Sequence, residues 1–250
     1  MNHHPDREDT VSRRLRSRRS CLLVPAGDAA AVRNARQVEA DEVVLDLVDA
    51  PDGARGTVVE ALLAEGWAGQ LRTVRVHPVS SPHCYRDVIE VVEGAGQRLD
   101  SLVLPHVQAA AQVGWLDLLL TQVEAAAGLP PGAIGSQAQL DDASGFACLE
   151  AVAAGSERLE ALVLDPDSLA AATGQRARVE GLDGTGWLLD QMIGRAVLVA
   201  RAHSLQVLES VRGEYSDVDG SRRAAALGVD GAWLLDAAEV EPCNALFHHR

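Results

Sequence analysis

Lysine is absent: all 22 basic residues among the 250 are arginine. Without a side-chain amine the chain cannot form a Schiff base. That excludes lysine-dependent aldolases, pyridoxal phosphate enzymes and Walker-type nucleotidases. Carbonyl chemistry in such a chain needs a metal ion or an arginine clamp to hold developing negative charge. Drift from Lys to Arg in a GC-rich genome accounts for the bias, and the chemical exclusion is the same.

Aromatic residues make up only 3%, so Ala, Val and Leu must fill any core. The four cysteines, Cys21, Cys84, Cys148 and Cys243, form no CxxC pair, which fits reduced thiols and a cytoplasmic location. His77, His83 and Cys84 lie close together in HPVSSPHC, yet the segment lacks the second ligand pair of a zinc site. No apolar run approaches membrane-spanning length, so no membrane partner is expected. CLLVPAGD breaks at Pro25 and Gly27, too soon for a signal peptide. Positive charge is in deficit: the net charge is −14 and the pI about 4.9. Nucleic acid is therefore not expected as a partner of the folded body. The first twenty residues differ, with Arg7, Arg13, Arg14, Arg16, Arg18 and Arg19 against Asp6, Glu8 and Asp9. Residues 1–18 read as a disordered basic arm, with binding to acidic surfaces or polynucleotides as the other use of such an arm.

What is present is 47% hydrophobic content in a length that buries one full core, residues 19–250. Eight short apolar runs recur: CLLVPA (21–26), VVLDLV (43–48), TVRVHP (73–78), SLVLPH (101–106), IGSQAQLD (134–141), ALVLD (161–165), QVLES (206–210) and GAWLLD (231–236). All but the first end at or near an ionisable group: Asp46, Arg75 with His77, His106, Asp141, Asp165, Glu209 and Asp236. Helical-period segments such as AAAVRNARQVEA lie between them. Eight strand–helix units in this length predict an α/β fold, a single-domain (β/α)8 TIM barrel whose strand ends meet at one mouth. A doubly wound open sheet ranks second, because no phosphate-binding glycine loop is present. GLDGTG (181–186) has no strand before it and not the GxGxxG spacing.

The motifs, in order, carry a likeness. CLLVPAGDAAAVRNARQVEADEVVLDLVDA resembles the opening of the citrate lyase β-subunit-like proteins of the HpcH/HpaI aldolase family, with its VPG strand, helix and DLEDAV strand. TVRVHP resembles that family's VRVN strand, LVLPHV its LPKV, AQLDDASG its IETARG, and RLEALVLDPDSLAAATG its FGPEDLAADLG. ALGVDGAWLLDAAEVEPCNALF is similar to its GFDGKWAIHPSQV ending, so the likeness spans about residues 19–247. It implies a metal-dependent carbon–carbon lyase or aldolase acting on an acyl-CoA thioester or keto acid. Magnesium would stabilise the enolate, and an arginine would hold the carboxylate.

Carried onto this chain, the likeness makes Arg75 the carboxylate clamp and places Asp49 with it in substrate binding. The family's metal-binding Glu falls on Asp141 and its Asp on Ser168, a poor magnesium ligand, which leaves Asp165 or Asp167 as the second ligand. The Lys of LPKV becomes His106, the general-base candidate; the Asn of VRVN becomes His77, the Glu of DLEDAV becomes Val48, and IHP becomes LLD. Asp165 before Pro166 also fits a helix N-cap, and Asp141 reads equally as a cap or a ligand. Two functions therefore stand: a lyase with a rewired metal site, and a non-catalytic barrel that binds a ligand or partner. The family also implies a homo-oligomer, with a trimer as the first expectation. The apolar stretches 187–200 and 240–247 are candidate contact surfaces. The ending at NALFHHR reads as a site without a lid of its own.

Overall fold

A computed structural model of the chain describes residues 16–51, 53–174, 187–210 and 218–247. Eight strands close into a parallel barrel in the order β1 to β8. They are β1 (Ser20–Pro25), β2 (Glu42–Asp46), β3 (Leu71–Arg75), β4 (Ser101–Leu104), β5 (Gly135–Leu140), β6 (Leu159–Leu164), β7 (Gln206–Ser210) and β8 (Gly231–Leu234). The helices that cover them are α1 (Ala29–Ala35), α2 (Ala54–Leu63), α3 (Cys84–Ala95), α4 (Ala110–Ala126), α5 (Ala143–Ala147), α6 (Leu149–Ala153), α7 (Pro166–Ala172), α8 (Trp187–Ala202), α9 (Val218–Leu227) and α10 (Val240–Leu246). The expected strands all appear, with ends that differ by at most three residues. Among the described residues no helix is long and apolar enough to cross a membrane. GLDGTG lies outside the described residues; α8 begins immediately after it.

Strand residues alternate between the barrel axis and the helices. The inward set builds three layers. Between floor and mouth, Cys21, Leu23, Val44, Val103, Ala161, Val163, Leu208 and Trp233 form a buried apolar cluster. The floor, at the strand N-termini, is polar and filled from the chain's own leader. Arg18 is fully buried there; its guanidinium meets Glu42, Gln206 and Glu160. Glu42 in turn accepts from Thr73 at 2.5 Å and Gln137 at 2.6 Å. A register shift between β5 and β6 makes Glu160 the extra residue and turns it into this layer. A glycine is required on β8 because a Cβ at Gly231 would lie 1.8 Å from the Arg18 carbonyl oxygen. Arg16 and Arg18, counted with the basic arm in the sequence, are thus part of the folded body. Residues 1–15 lie outside the described ones.

The third layer is the mouth. Short turns after the strands are fixed by carboxylates that cap the helices next in the chain. Asp28 accepts from the N–H groups of Ala30 and Ala31, Asp142 from Gly145 and Asp165 from Ser168. Pro166 at the first position of α7 completes that start.

Candidate active site at the barrel mouth

Arg75 ends β3 facing the axis, where it is 5% exposed. Its Nη1 donates to both oxygens of Asp46, at 3.1 and 3.0 Å, and its Nε donates to Gln139 Oε1 at 2.9 Å. The plane of the fork is held further by Trp233, whose ring lies 6.0 Å from the guanidinium carbon. These contacts hold Nε and Nη1 and leave Nη2 without an acceptor among the described residues. Sequence reading named Asp46 among the strand-end carboxylates that call for a positive group such as Arg75, and it missed Gln139 and Trp233. The period of two does connect them: residues 46, 75, 139 and 233 are all inward positions of their strands.

Two residues along β5 from Gln139, Asp141 points the same way. One of its oxygens lies 2.8 Å from Nδ1 of His106. The other, Oδ1, is buried and has no hydrogen-bond partner. Burial pushes the Asp141 carboxyl above the usual carboxylate range despite the His106 ring, and the charges of Asp165 and Asp142 add to the rise. His106 itself is more than half exposed and sits at φ 53°, a left-handed backbone that turns its side chain over the mouth.

The remaining expected residues divide between the mouth and its surroundings. Asp165 is buried near enough to Asp141 to affect its ionisation, but one of its oxygens caps α7 at 3.0 Å. Asp167 lies on α7, where its charge, after burial, helps push the buried Glu209 up to about 8. Asp49 is an exposed residue at φ 61° in the β2–α2 turn, and no described hydrogen bond joins it to Arg75. His77 turns away to α3: its Nδ1 lies 2.6 Å from the fully buried Asp87, which also accepts from Arg55 at 2.7 Å. The ring centroids of His77 and His83 are 5.2 Å apart beside that cluster.

A hard cation wants several converging oxygens. Among the described residues no three His, Cys, Asp or Glu side chains converge in this way. At the mouth one Asp141 oxygen is engaged by His106, Asp165 is engaged in capping, and Ser168 offers its N–H to that cap. The orphaned Asp141 oxygen and the Asp165 oxygen that does not cap α7 fall short of the several converging oxygens required. The donor set of the described residues does not fit magnesium.

Comparison with known proteins agrees with this architecture. The family model for HpcH/HpaI aldolase/citrate lyase matches residues 19–237. The L-malyl-CoA/beta-methylmalyl-CoA lyase of Cereibacter sphaeroides is 31% identical over 93% of this chain and 79% of its own. Among solved structures, the citrate lyase beta subunit of M. tuberculosis complexed with oxaloacetate and magnesium superposes with a TM-score of 0.72. It is 21% identical, covering 95% of this chain and 99% of its own. The Haloferax volcanii malate synthase reaches 0.77 at 19% identity, covering 98% of this chain and 76% of that one. With its fold, its Arg75 strand and a family match over most of its length, this chain belongs to the HpcH/HpaI aldolase/citrate lyase family.

Proposed function

We propose that the protein is a carbon–carbon lyase of this family, acting on a CoA thioester that carries a hydroxyl two carbons from the thioester carbonyl. The observation that carries the reading is the pairing, on one wall of the mouth, of a pinned arginine with one free nitrogen and a buried carboxylate with a free oxygen. Arg75 Nη2 takes the carboxylate of the substrate. Asp141 Oδ1 takes the hydroxyl proton, a task suited to a carboxylate whose basicity is increased by burial. As that proton leaves, a carbonyl forms and the adjacent carbon–carbon bond breaks. Its electron pair passes to the thioester as an enolate, which takes up a proton to give acetyl-CoA or a homologue. His106, on the other oxygen of Asp141, keeps that carboxylate oriented.

Magnesium, present in the M. tuberculosis relative's structure, would stabilise the keto-acid oxygen and the enolate if bound; no step above runs through it. Asp49 and Asp167 contribute to the substrate's surroundings at most, from the turn and from α7. Among the described residues CoA meets few cations: Arg19 and Arg72 are paired with Asp41 and Asp100 at the strand starts, away from the mouth, and exposed Arg33 on α1 is the candidate for its phosphates. CoA binding is accordingly weaker than in the relatives. A barrel that binds without turnover is the second reading, favoured by Ser168 and the capped Asp165 where the family has a metal ligand. Release of acetyl-CoA from L-malyl-CoA separates the two. Turnover that disappears in Asp141→Asn supports the lyase, and a bound but intact thioester supports the other.

A further inference from the structure

At the opposite end of the barrel from the mouth, the strand starts border a groove of 430 Å³, between the turn from α2 into β3 and the turn from α3 into β4. Arg16, Arg72 and Arg98 line it, with Glu65 and Asp100. Arg72 and Arg75 are three positions apart on β3, so they face opposite sides of the strand: Arg75 turns to the barrel axis and Arg72 outward. Asp100 fixes two of the three arginines from behind. Its Oδ1 accepts from Arg16 Nη1 at 2.6 Å, and its Oδ2 accepts from the Arg72 backbone N–H at 2.9 Å and from Nε at 3.4 Å. Both terminal nitrogens of Arg72 are left without an acceptor among the described residues. Arg16 Nη2 lies 3.6 Å from Glu160, a carboxylate that Arg18 already meets from the floor. Arg98 is freer: among the described residues its Nη2 meets only Glu65, at 3.9 Å, and that carboxylate is 93% exposed. An exposed pair of that length contributes little and yields to a competing anion. Three guanidinium groups against two carboxylates leave the groove one positive charge in surplus, on a chain whose net charge is −14.

The same groove holds Trp67, one of only four tryptophans in a chain poor in aromatics. Its indole N–H is already spent on the Ala61 carbonyl, at 3.1 Å, so the partly buried ring is held still and offers the groove only its apolar surface. Gln70 lines the groove as well and is 6% exposed. Its amide nitrogen donates to the carbonyls of Arg36 and Val38, at 3.2 and 2.6 Å, while its Oε1 is buried without a hydrogen-bond partner. A buried acceptor of this kind is normally satisfied, and a donor entering the groove would satisfy it. Guanidinium groups with free nitrogens recognise a phosphate, a fixed indole surface recognises a flat ring, and the volume lies within the range of about 300–1,000 Å³ usual for small-molecule sites. We infer that this groove binds a nucleoside monophosphate, with its phosphate on Arg72 and Arg98 and its base against Trp67. Such a ligand sits at the strand starts, apart from whatever the mouth holds.

The test is calorimetric titration of the full chain with AMP, beside adenosine and inorganic phosphate as probes of the two halves of the site. The groove predicts that AMP binds roughly tenfold or more tightly than either part alone. Arg98→Gln, a change to a side chain that is half exposed, weakens AMP roughly tenfold, the loss expected of a hydrogen bond to a charged group, and Arg72→Gln does the same. Trp67→Leu weakens AMP roughly fivefold or more, as for loss of a stacked base, and leaves inorganic phosphate unaffected. Arg75→Lys, at the mouth, leaves the AMP affinity within about twofold of the wild type. Circular dichroism confirms that the variants are folded. No saturable binding of AMP, AMP bound equally well by folded Arg72→Gln and Arg98→Gln, or AMP lost in Arg75→Lys instead, overturns the inference. Adenosine or inorganic phosphate bound as tightly as AMP also overturns it, because only one half of the groove would then be in use.

Discussion

At the scale of single residues, the mouth depends on groups whose partners come from neighbouring strands. Arg75 is the clearest case. A lysine there would keep the charge but lose the fork that reaches Asp46, Gln139 and a ligand together. Arg75→Lys is expected to lower kcat/KM for malyl-CoA cleavage on the order of 10²-fold, as for loss of one oriented donor, with the melting temperature little changed. Steady-state assays beside thermal unfolding check this. Glu209 is a residue of a different kind. It faces outward from β7 into the packed layer, with Oε2 buried and without a partner, and burial followed by the charge of Asp167 raises it from 4.5 to about 8. The folded state therefore holds this proton where the unfolded chain has released it. Its contribution to stability declines as pH rises from about 4.5 to about 8, and is constant outside that window. Glu209→Gln should flatten that part of the pH–stability curve and make the variant the more stable protein at pH 8. A wild-type curve that rises through this range contradicts the assignment.

At the scale of elements, much was legible from alternation alone, because a strand buried on both faces reads as a short apolar run wherever it lies. Arg75, Asp141 and His106 stood out this way only as ionisable groups at or just after strand ends; the roles expected of them came from the family likeness. What stayed hidden needed cross-strand knowledge. Nothing near Gln139 says that its partner is 64 positions away, and nothing in Ser-Arg-Arg-Ser says that Arg18 fills the floor of the barrel. That floor can be tested by itself. Burial opposes the Arg18 charge, and Glu160 and Glu42 hold its pKa up against that cost. Removing the guanidinium leaves those acids buried without it, so Arg18→Met should destabilise the fold by about 3–5 kcal/mol. Combining it with Glu42→Gln and Glu160→Gln should recover most of the loss in urea unfolding. A single variant as stable as wild type would contradict the floor as described.

At the scale of the whole molecule, the stretches expected to form a contact surface are only partly free. Val240, Cys243 and Phe247 are buried, as are Leu189, Ile193, Ala196 and Val199, so barrel packing accounts for much of both stretches. Trp187 and Leu198 on α8 remain 66% and 72% exposed, and Leu118 on α4 is 68% exposed. A homo-oligomer that covers these residues, a trimer by analogy with the family, predicts a sedimentation mass well above the 26.4 kDa of one chain at micromolar concentration. A clean species at the monomer mass rejects it. Whether the barrel is a lyase is the larger question, because fold alone does not carry an activity. The most direct measurement is chromatographic detection of acetyl-CoA from L-malyl-CoA incubated with the purified full chain, beside Arg75→Lys and Asp141→Asn. The account predicts acetyl-CoA from the wild type at an ordinary enzyme rate, about 1–10³ s⁻¹, with strong loss in both variants. Intact malyl-CoA with the wild type, or equal release by all three proteins, would contradict it.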